Sequence, residues 1–389
     1  MIWPLIINSL KKIDDIGIGS FFTLAINAAL SIMCALSLNV WIYAFFPLEK
    51  EIFIFLIWVL LNISGAYLFG KLSDKYSRKN ILLITTAIGI FGIFFLKKYG
   101  FNLPIIMLLA FAYNPTPIIN ASLISFHKNF FLKTSKKNHS YQSPKLIAYS
   151  VLLQAFPWIF FGNFQNLGLE NSINLIYYFS IISFIFSFIL FKENKSYNRN
   201  KKNATKGGKI FKLYLVWISF LFAESVYFIS ALAFKGDTFF ILAGIGVVSG
   251  SILHFLPHKD YHLTYSNLIS AAYFLGGLLM LLGVIGAYLM KNPISLKVFG
   301  GIIACIGAIY IPLVYSRSFQ LFNSKKIGEA SGICEGIQGI ASIFAPLILE
   351  FIKYFHLSFY SIGAGLSLLF FIAFFINVFS VRGENEQRI

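Results

Sequence analysis

The chain has 389 residues, of which 58% are hydrophobic and only 12% charged, and its mean hydropathy is +0.75. Because about a quarter of the residues of an average soluble domain are charged, this composition excludes an ordinary water-soluble enzyme and predicts a multi-pass protein of the lipid bilayer. The net charge of +17 does not indicate a nucleic-acid partner, because the basic residues lie between apolar runs, where membrane topology explains them.

Twelve apolar runs are long enough to cross a membrane, since a helical span needs about 20 residues. In chain order they are 17–45, 51–71, 80–96, 101–126, 145–166, 172–191, 212–234, 238–256, 265–290, 295–316, 328–352 and 357–380. The sequence therefore predicts an all-α membrane protein with twelve transmembrane helices.

The basic residues are distributed asymmetrically around these predicted helices. Of the 32 Lys and Arg residues, 25 fall in the two tails, in the loops after even-numbered helices or at the helix ends that border these loops. Basic loops stay in the cytoplasm. We therefore predict a protein of the cell (inner) membrane with both termini cytoplasmic, with residues 127–144 and 192–209 cytoplasmic, and with Gly168 to Asn171 external.

The longest polar stretch, Lys192 to Lys209, falls between the sixth and seventh predicted helices. It cannot bury apolar area, so it is expected to be a flexible linker. We predict an N-terminal six-helix bundle at 1–191, a cytoplasmic linker at 192–211 and a C-terminal six-helix bundle at 212–389. Two rigid bundles that rock around a central site are what a secondary transporter needs.

One loop string is the most specific motif, and it runs from Gly70 to Lys79 between the second and third predicted helices. It resembles the loop motif of the major facilitator superfamily, G-x-L-a-D-r-x-G-r-r/k. The matching residues are Gly70, Leu72, Asp74, Arg78 and Lys79, while Ser77 replaces the second glycine. The resemblance implies the superfamily fold and transport by alternating access. The alternative is a basic loop that only obeys the topology rule.

The chemistry of these motif residues suggests how they act. Gly70 permits close backbone approach at a helix end, and a carboxylate at position 74 can cap a helix N-terminus. As the family resemblance implies, we predict that Asp74 caps the N-terminal end of the eleventh helix around Gly328 to Ala330 in the outward-open state, with Arg78 nearby.

The eleventh predicted helix carries a glycine face and an adjoining polar stripe. Gly328, Gly332 and Gly336 are four residues apart, which permits close helix packing. The polar stripe consists of Ser331, Glu335, Gln338 and Ser342. This helix resembles that of drug:proton antiporters in the superfamily, and Asp14 to Gly19 is similar to the D-x-x-G-x-G string of their first helix. The resemblance implies proton-coupled export.

Two acidic residues lie inside predicted membrane spans and away from the span ends, where an ionised carboxylate costs about 3 kcal/mol on insertion scales. Glu224 lies near the middle of the seventh span, and Glu335 lies about two turns into the eleventh. A desolvated carboxyl group there can exchange protons near neutral pH. We predict that Glu224, with Glu335 as the second choice, couples transport to protons. The alternative for both is a structural hydrogen bond between helices.

Polar and aromatic side chains also occur in the helices that, as the family resemblance implies, line the central cavity. Two prolines, Pro115 and Pro117, predict a break in the fourth helix. The predicted substrate-cavity residues are Asn27, Ser31, Asn114, Gln154, Tyr227, Tyr310 and Gln338. Hydrogen bonding between helices is the alternative role for each of these side chains.

His254, His258 and His262 are spaced by four residues, but Pro257 interrupts the helix that would align them, so no metal site is predicted. HExxH, Walker-type GxxxxGK and GxSxG strings are absent from the sequence, so we expect neither an enzyme nor a cofactor.

We predict a secondary active transporter that moves a small solute, coupled to protons, with export favoured over uptake. It is expected to function as a monomer. The alternatives are an uptake permease of the same fold and a receptor or scaffold that transports nothing.

Overall fold

The computed structural model describes residues 19–20, 22–31, 33, 48–100, 102–112, 114–131, 142–164, 169–193, 207–233, 237–255, 265–292, 294–322 and 326–381. Within these ranges the regular secondary structure is α-helical. The helices are α1 Phe22–Ser31, α2 Leu48–Lys75, α3 Arg78–Tyr99, α4 Leu103–Ala112, α5 Thr116–Phe131, α6 Gln142–Phe164, α7 Leu169–Leu190, α8 Gly207–Ala233, α9 Asp237–Leu253, α10 Tyr265–Leu289, α11 Ile294–Leu321, α12 Ile327–Tyr354 and α13 Phe359–Val381.

The structure agrees with the prediction of an all-α membrane protein. Among the described residues, eight helical stretches are long and apolar enough to cross a membrane. They are Phe53–Lys75, Arg78–Tyr99, Leu103–Ile124, Glu170–Leu190, Ile210–Ser230, Tyr265–Leu289, Gly301–Leu321 and Phe359–Val381. The full count of twelve transmembrane helices stays a prediction.

Local sequence signals explain where α3 begins and ends. Ser77 is the N-cap residue, and its hydroxyl oxygen accepts a hydrogen bond from the Asn80 amide at 3.3 Å. Gly100 follows the last residue with φ of 72°, a left-handed conformation that glycine adopts without steric cost. Its amide donates to the Leu96 carbonyl oxygen at 3.0 Å. Both ends of α3 are thus set by residues that satisfy its unpaired backbone groups.

The predicted fourth helix is interrupted, as Pro115 and Pro117 predict. Helix α4 ends at Ala112 and α5 begins at Thr116. Proline lacks an amide hydrogen and disfavours the helical conformation in the residue before it. The amides of Ile118 and Ile119 restart the helix by donating to the Pro115 carbonyl oxygen.

The chain divides into two compact units. The first comprises Met1–Gln154, Leu167–Lys202 and Lys325–Ile333, and the second comprises Ala155–Asn166, Asn203–Ser324 and Cys334–Ile389. The core of the first unit is aliphatic and aromatic, and contains Leu24, Ala28, Phe69, Ile81, Leu82, Ile118, Ile119, Leu123 and Phe191. The predicted halves at 1–191 and 212–389 and the predicted linker at 192–211 stay predictions.

The second unit contains α8 to α11, α13, most of α12 and the end of α6. Helix α9 packs on α11, α10 packs on both α11 and α13, and α8 packs on α11 and α13. Gly246 and Gly250 of α9 lie against the α11 backbone at Cys305, where a side chain would collide. Close packing of this kind holds helices together in a membrane, where no hydrophobic force draws them to one another.

Candidate functional site

Interacting charged and polar side chains cluster at two places, and each place lies within one of the two compact units. The first, which we name the capping site, consists of Asp74, Arg78, Gly328 and Glu329 in the first unit. The second, which we name the acid cluster, consists of Glu224, Glu335, Tyr310, Tyr315 and Gln338 in the second unit.

The capping site joins the end of α2 to the start of α12. Asp74 Oδ1 accepts a hydrogen bond from the Gly328 amide at 2.9 Å, and Oδ2 accepts one from the Glu329 amide at 2.8 Å. Arg78 Nη2 lies 3.9 Å from Asp74 Oδ1. One carboxylate thus satisfies two amides of the first turn of α12, which is the cap that the loop motif predicts.

Gly70 and Gly328 permit the close approach on which this cap depends. A Cβ atom on Gly70 would collide with the Gly328 carbonyl oxygen, and a Cβ atom on Gly328 would collide with the Gly70 carbonyl oxygen. Ser73 donates a hydrogen bond to the Gly70 carbonyl oxygen at 2.7 Å. Leu72 packs against the core of the first unit. The motif residues therefore serve helix contact directly.

A second carboxylate, which the sequence analysis did not identify, caps α3. Glu193 Oε1 accepts a hydrogen bond from the Arg78 amide at 2.9 Å, and the Ser77 hydroxyl donates to Glu193 Oε2. Lys79 Nζ donates to the Phe188 carbonyl oxygen at 2.7 Å, near the end of α7. The loop motif therefore supplies the acid that caps α12 and binds a second acid, Glu193, at the start of α3. A lone acidic residue at the start of a basic polar stretch was the signal in the sequence.

The Glu329 side chain belongs to a polar network at the edge of the capping site. Its carboxylate accepts hydrogen bonds from Lys326 Nζ at 2.8 Å and from the Tyr67 hydroxyl at 3.2 Å. The hydrogen bond with Glu329 raises the pKa of Lys326. Because the ammonium group is about half exposed, solvent screens this pair and it adds little stability.

Glu224 lies at the centre of the acid cluster. The residue is 2% exposed, and its carboxyl group interacts with the side chains of Tyr310 and Gln338 and with the charge of Glu335. Tyr227, one turn further along α8, also lies within reach of its charge. Glu224 Oε1 has no partner of regular hydrogen-bonding geometry among the described residues.

Glu335 has a different environment from Glu224. The Tyr315 hydroxyl donates a hydrogen bond to Glu335 Oε1 at 2.6 Å, and Tyr315 is only 1% exposed. Gln338 lies one turn further along α12, so both side chains share a face, as the predicted polar stripe requires. The two acids therefore belong to one cluster but have different hydrogen-bonding partners.

Aromatic rings surround the two acids. The Tyr310 ring lies edge-on to Tyr273 at a centroid distance of 5.1 Å and to Phe220 at 6.1 Å, and the Tyr315 ring lies edge-on to Phe220 at 6.2 Å. Tyr273, which the sequence analysis did not single out, is fully buried. These rings keep the carboxyl groups in an environment of low polarity.

The predicted cavity residues of the N-terminal half are engaged in hydrogen bonds between helices. Asn27 Nδ2 donates to Ser187 Oγ at 3.0 Å, and Thr86 donates to Asn27 Oδ1 at 3.4 Å. The Ser31 and Thr116 hydroxyl groups lie 3.4 Å apart.

Asn114 and Gln154 complete this group. Asn114 Nδ2 donates to Asn62 Oδ1 at 3.0 Å, and Gln154 is half-buried on α6. These contacts show what the side chains of Asn27, Ser31 and Asn114 bind in this structure. A role for Asn27, Ser31, Asn114 and Gln154 in substrate binding stays a prediction.

Several predicted features lie partly or wholly outside the described residues. These are the Asp14 to Ile18 part of the first-helix string, His258 and His262, and most of the linker. His254 Nε2 is within hydrogen-bonding distance of the Ala308 and Ile309 carbonyl oxygens, at 3.3 and 3.0 Å. The described residues contain no group of three or more His, Cys, Asp or Glu side chains that could hold a metal ion.

Comparison with known proteins identifies the fold. No protein-family model and no curated protein sequence matches the chain. Among solved structures, the human organic anion transporter MFSD10 (TETRAN) is 13% identical with a TM-score of 0.68, over 92% of this chain and 99% of that one. The E. coli fucose:proton symporter FucP is also 13% identical, with a TM-score of 0.60, over 93% of this chain and 99% of that one. The chain therefore has the fold of the major facilitator transporters.

Proposed function

We propose that this chain is a secondary active transporter of the major facilitator superfamily that moves a small solute across the cell (inner) membrane by alternating access. Three observations support the proposal: the fold, the apolar helices of spanning length and the loop motif with its Asp74 cap. Both termini are cytoplasmic in this proposal, because the basic residues concentrate on one side of the predicted helices. The transporter acts as a monomer.

Transport is coupled to protons through Glu224. The observation that carries this step is a carboxyl group 2% exposed at the centre of an apolar helical unit, beside a second carboxyl group. Placing an ionised carboxylate inside a membrane span costs about 3 kcal/mol, so a carboxyl group at such a position indicates a function. Its partners among the described residues include no Lys or Arg side chain, so its charge is not neutralised by a structural ion pair.

Substrate binding is assigned to the polar side chains in the interior of the helices, namely Asn27, Ser31, Asn114, Gln154, Tyr227, Tyr310 and Gln338. Tyr310 and Gln338 carry the most support, because both interact with Glu224. A solute that binds these two side chains changes the surroundings of the proton-carrying group. Binding and protonation are then linked through direct contact.

Export is the favoured direction, because α12 and the first-helix string resemble those of drug:proton antiporters. Uptake is the second candidate, and the similarity to a fucose:proton symporter favours it. A receptor that transports nothing is the third, and the buried Glu224 argues against it because receptor function gives no reason to keep a carboxyl group there.

The proposal is tested with the purified full-length protein reconstituted into liposomes. A panel of organic cations, organic anions and monosaccharides is first screened for compounds that raise the unfolding temperature. Compounds that bind are then used as radiolabelled probes in counterflow and in uptake driven by a pH gradient. We expect at least one probe to be exchanged and to accumulate in response to the gradient.

The variant Glu224→Gln separates coupling from binding. It should abolish accumulation driven by the pH gradient while counterflow continues, because the amide cannot release a proton. Glu335→Gln should retain part of the coupled flux. The matched control is Glu170→Gln, which changes an exposed acid at the start of α7 and should behave as wild type. Accumulation by Glu224→Gln at the wild-type rate would overturn the coupling role.

A further inference from the structure

We propose that Glu224 and Glu335 share one exchangeable proton, that this proton resides on Glu224, and that Tyr315 is the positioning residue that keeps Glu335 ionised. The assignment deepens the proposed function, on which its role in transport rests. The assignment rests on the geometry of two neighbouring carboxyl groups that have different hydrogen-bonding partners.

The hydrogen bond from Tyr315 favours the ionised form of Glu335. A donated hydrogen bond stabilises a carboxylate more than it stabilises a neutral carboxylic acid, and the Tyr315 hydroxyl donates such a bond to Glu335 Oε1 at 2.6 Å. The Tyr315 ring is held edge-on by Phe220 and Phe319, at 6.2 Å from each. Its hydroxyl is therefore aimed at Glu335 before any proton moves.

Glu224 has the environment of a neutral acid. Oε1 has no donor of regular geometry among the described residues, and the residue is 2% exposed. An ionised carboxylate in that position would be shielded from water and would have no donor of regular geometry at Oε1, although Tyr310 and Gln338 lie beside it. The negative charge on Glu335 also favours the neutral form of Glu224, because two neighbouring carboxyl groups resist ionising together.

Among the described residues, the other groups that face Glu224 carry no charge near neutral pH. They are Tyr227 on α8, Tyr273 on α10, Tyr310 and Tyr315 on α11, and Gln338 on α12. Helix α13, which packs on α8, contains no charged residue. Glu335 is thus the charged neighbour of Glu224, and the pair carries a single negative charge when one proton is bound.

Proton balance follows from this arrangement. Release converts the Glu224 carboxylic acid into a carboxylate and delivers one proton to water, and rebinding reverses that step. In the released state the two carboxylates repel each other, so release is favoured only when water or a cationic group reaches the cluster. One proton is then exchanged in each cycle.

Infrared difference spectroscopy of the full-length protein in lipid nanodiscs tests the assignment without transport. At pH 7.5 the wild type should show the carbonyl stretching band of a protonated carboxylic acid. We expect Glu224→Gln to lose this band and Glu335→Gln to keep it. In Tyr315→Phe, where Glu335 loses its donor, a second protonated carboxyl group should appear at a pH where the wild type shows one.

Tyr265→Phe is the matched control, because it removes a buried tyrosine hydroxyl at the first residue of α10, and it should leave the spectrum unchanged. Loss of the band in Glu335→Gln with retention in Glu224→Gln would reverse the assignment. An unchanged spectrum in a folded Tyr315→Phe variant would exclude the positioning role. A protein with the expected bands that exchanges no probe in counterflow would refute the proposed transport and leave the proton assignment intact.

Discussion

Two acidic side chains of this protein bind backbone amides at the start of a helix. Asp74 accepts hydrogen bonds from two amides at the start of α12, and Glu193 accepts one at the start of α3. A helix N-terminus carries a partial positive charge and several unpaired amides, so a carboxylate there gains from both.

Removing the cap should lower stability and slow transport together. Asp74→Ala is expected to cost about 1 kcal/mol, the usual effect of losing a helix cap. Asp74→Asn should cost less, because one acceptor remains, but it should slow solute exchange because the charged contact with Arg78 is lost. Thermal unfolding of the purified protein and counterflow in liposomes measure the two effects.

Asn102→Ala is the matched control for this cap. Asn102 Oδ1 accepts a hydrogen bond from the Ile105 amide at the start of α4, at 3.1 Å. Its removal should cost a similar amount of stability without slowing exchange. Equal slowing by both variants would mean that Asp74 contributes only stability.

At the scale of elements, the break between α4 and α5 is held by α2. Asn62 Nδ2 donates to the Ala110 carbonyl oxygen at 3.3 Å, and Asn114 Nδ2 donates to Asn62 Oδ1 at 3.0 Å. In a continuous helix the Ala110 carbonyl would accept from the amide of residue 114. The side chain of a neighbouring helix replaces that partner, which is how a break is tolerated inside a membrane.

Asn62→Leu should therefore destabilise the protein although the two side chains are similar in volume. It leaves the Ala110 carbonyl oxygen and the Asn114 amide group without their partner, at an expected cost of about 1 to 2 kcal/mol. The exposed Asn80 of α3 offers the control Asn80→Leu, which should change the unfolding temperature little. If the two variants unfolded at the same temperature as the wild type, Asn62 would not support the break.

At the scale of the whole molecule, the proposed topology follows from charge. Cysteines at position 198 in the predicted linker and at position 168, between the fifth and sixth predicted spans, are expected to report on opposite sides of the membrane. In a background without Cys34, Cys305 and Cys334, a membrane-impermeant thiol reagent added to intact cells should label Gly168→Cys and not Asn198→Cys. External labelling of position 198 would contradict both the twelve-helix count and the cytoplasmic linker.

Much of the fold could be predicted from local patterns. The described helices agree with the predicted apolar runs, and the interruption of the fourth run follows from Pro115 and Pro117. Signals of this kind work because helix length, proline and capping act over a few residues. The loop motif also predicted a contact between distant parts of the chain, because its resemblance to a family implied the contact between Asp74 and the start of α12.

The sequence by itself determined the class of protein, since apolar runs of about 20 residues satisfy their backbone in lipid as helices. It also identified Glu224 and Glu335 as acids in apolar surroundings. Only the tertiary structure decided which groups meet: Glu193 lies 115 positions from Arg78, and Asn62 lies 52 positions from Asn114. The donation from Tyr315 to Glu335 likewise depends on the packing of α11 on α12, because hydrogen bonds between helices depend on how helices pack, which no local pattern of residues encodes.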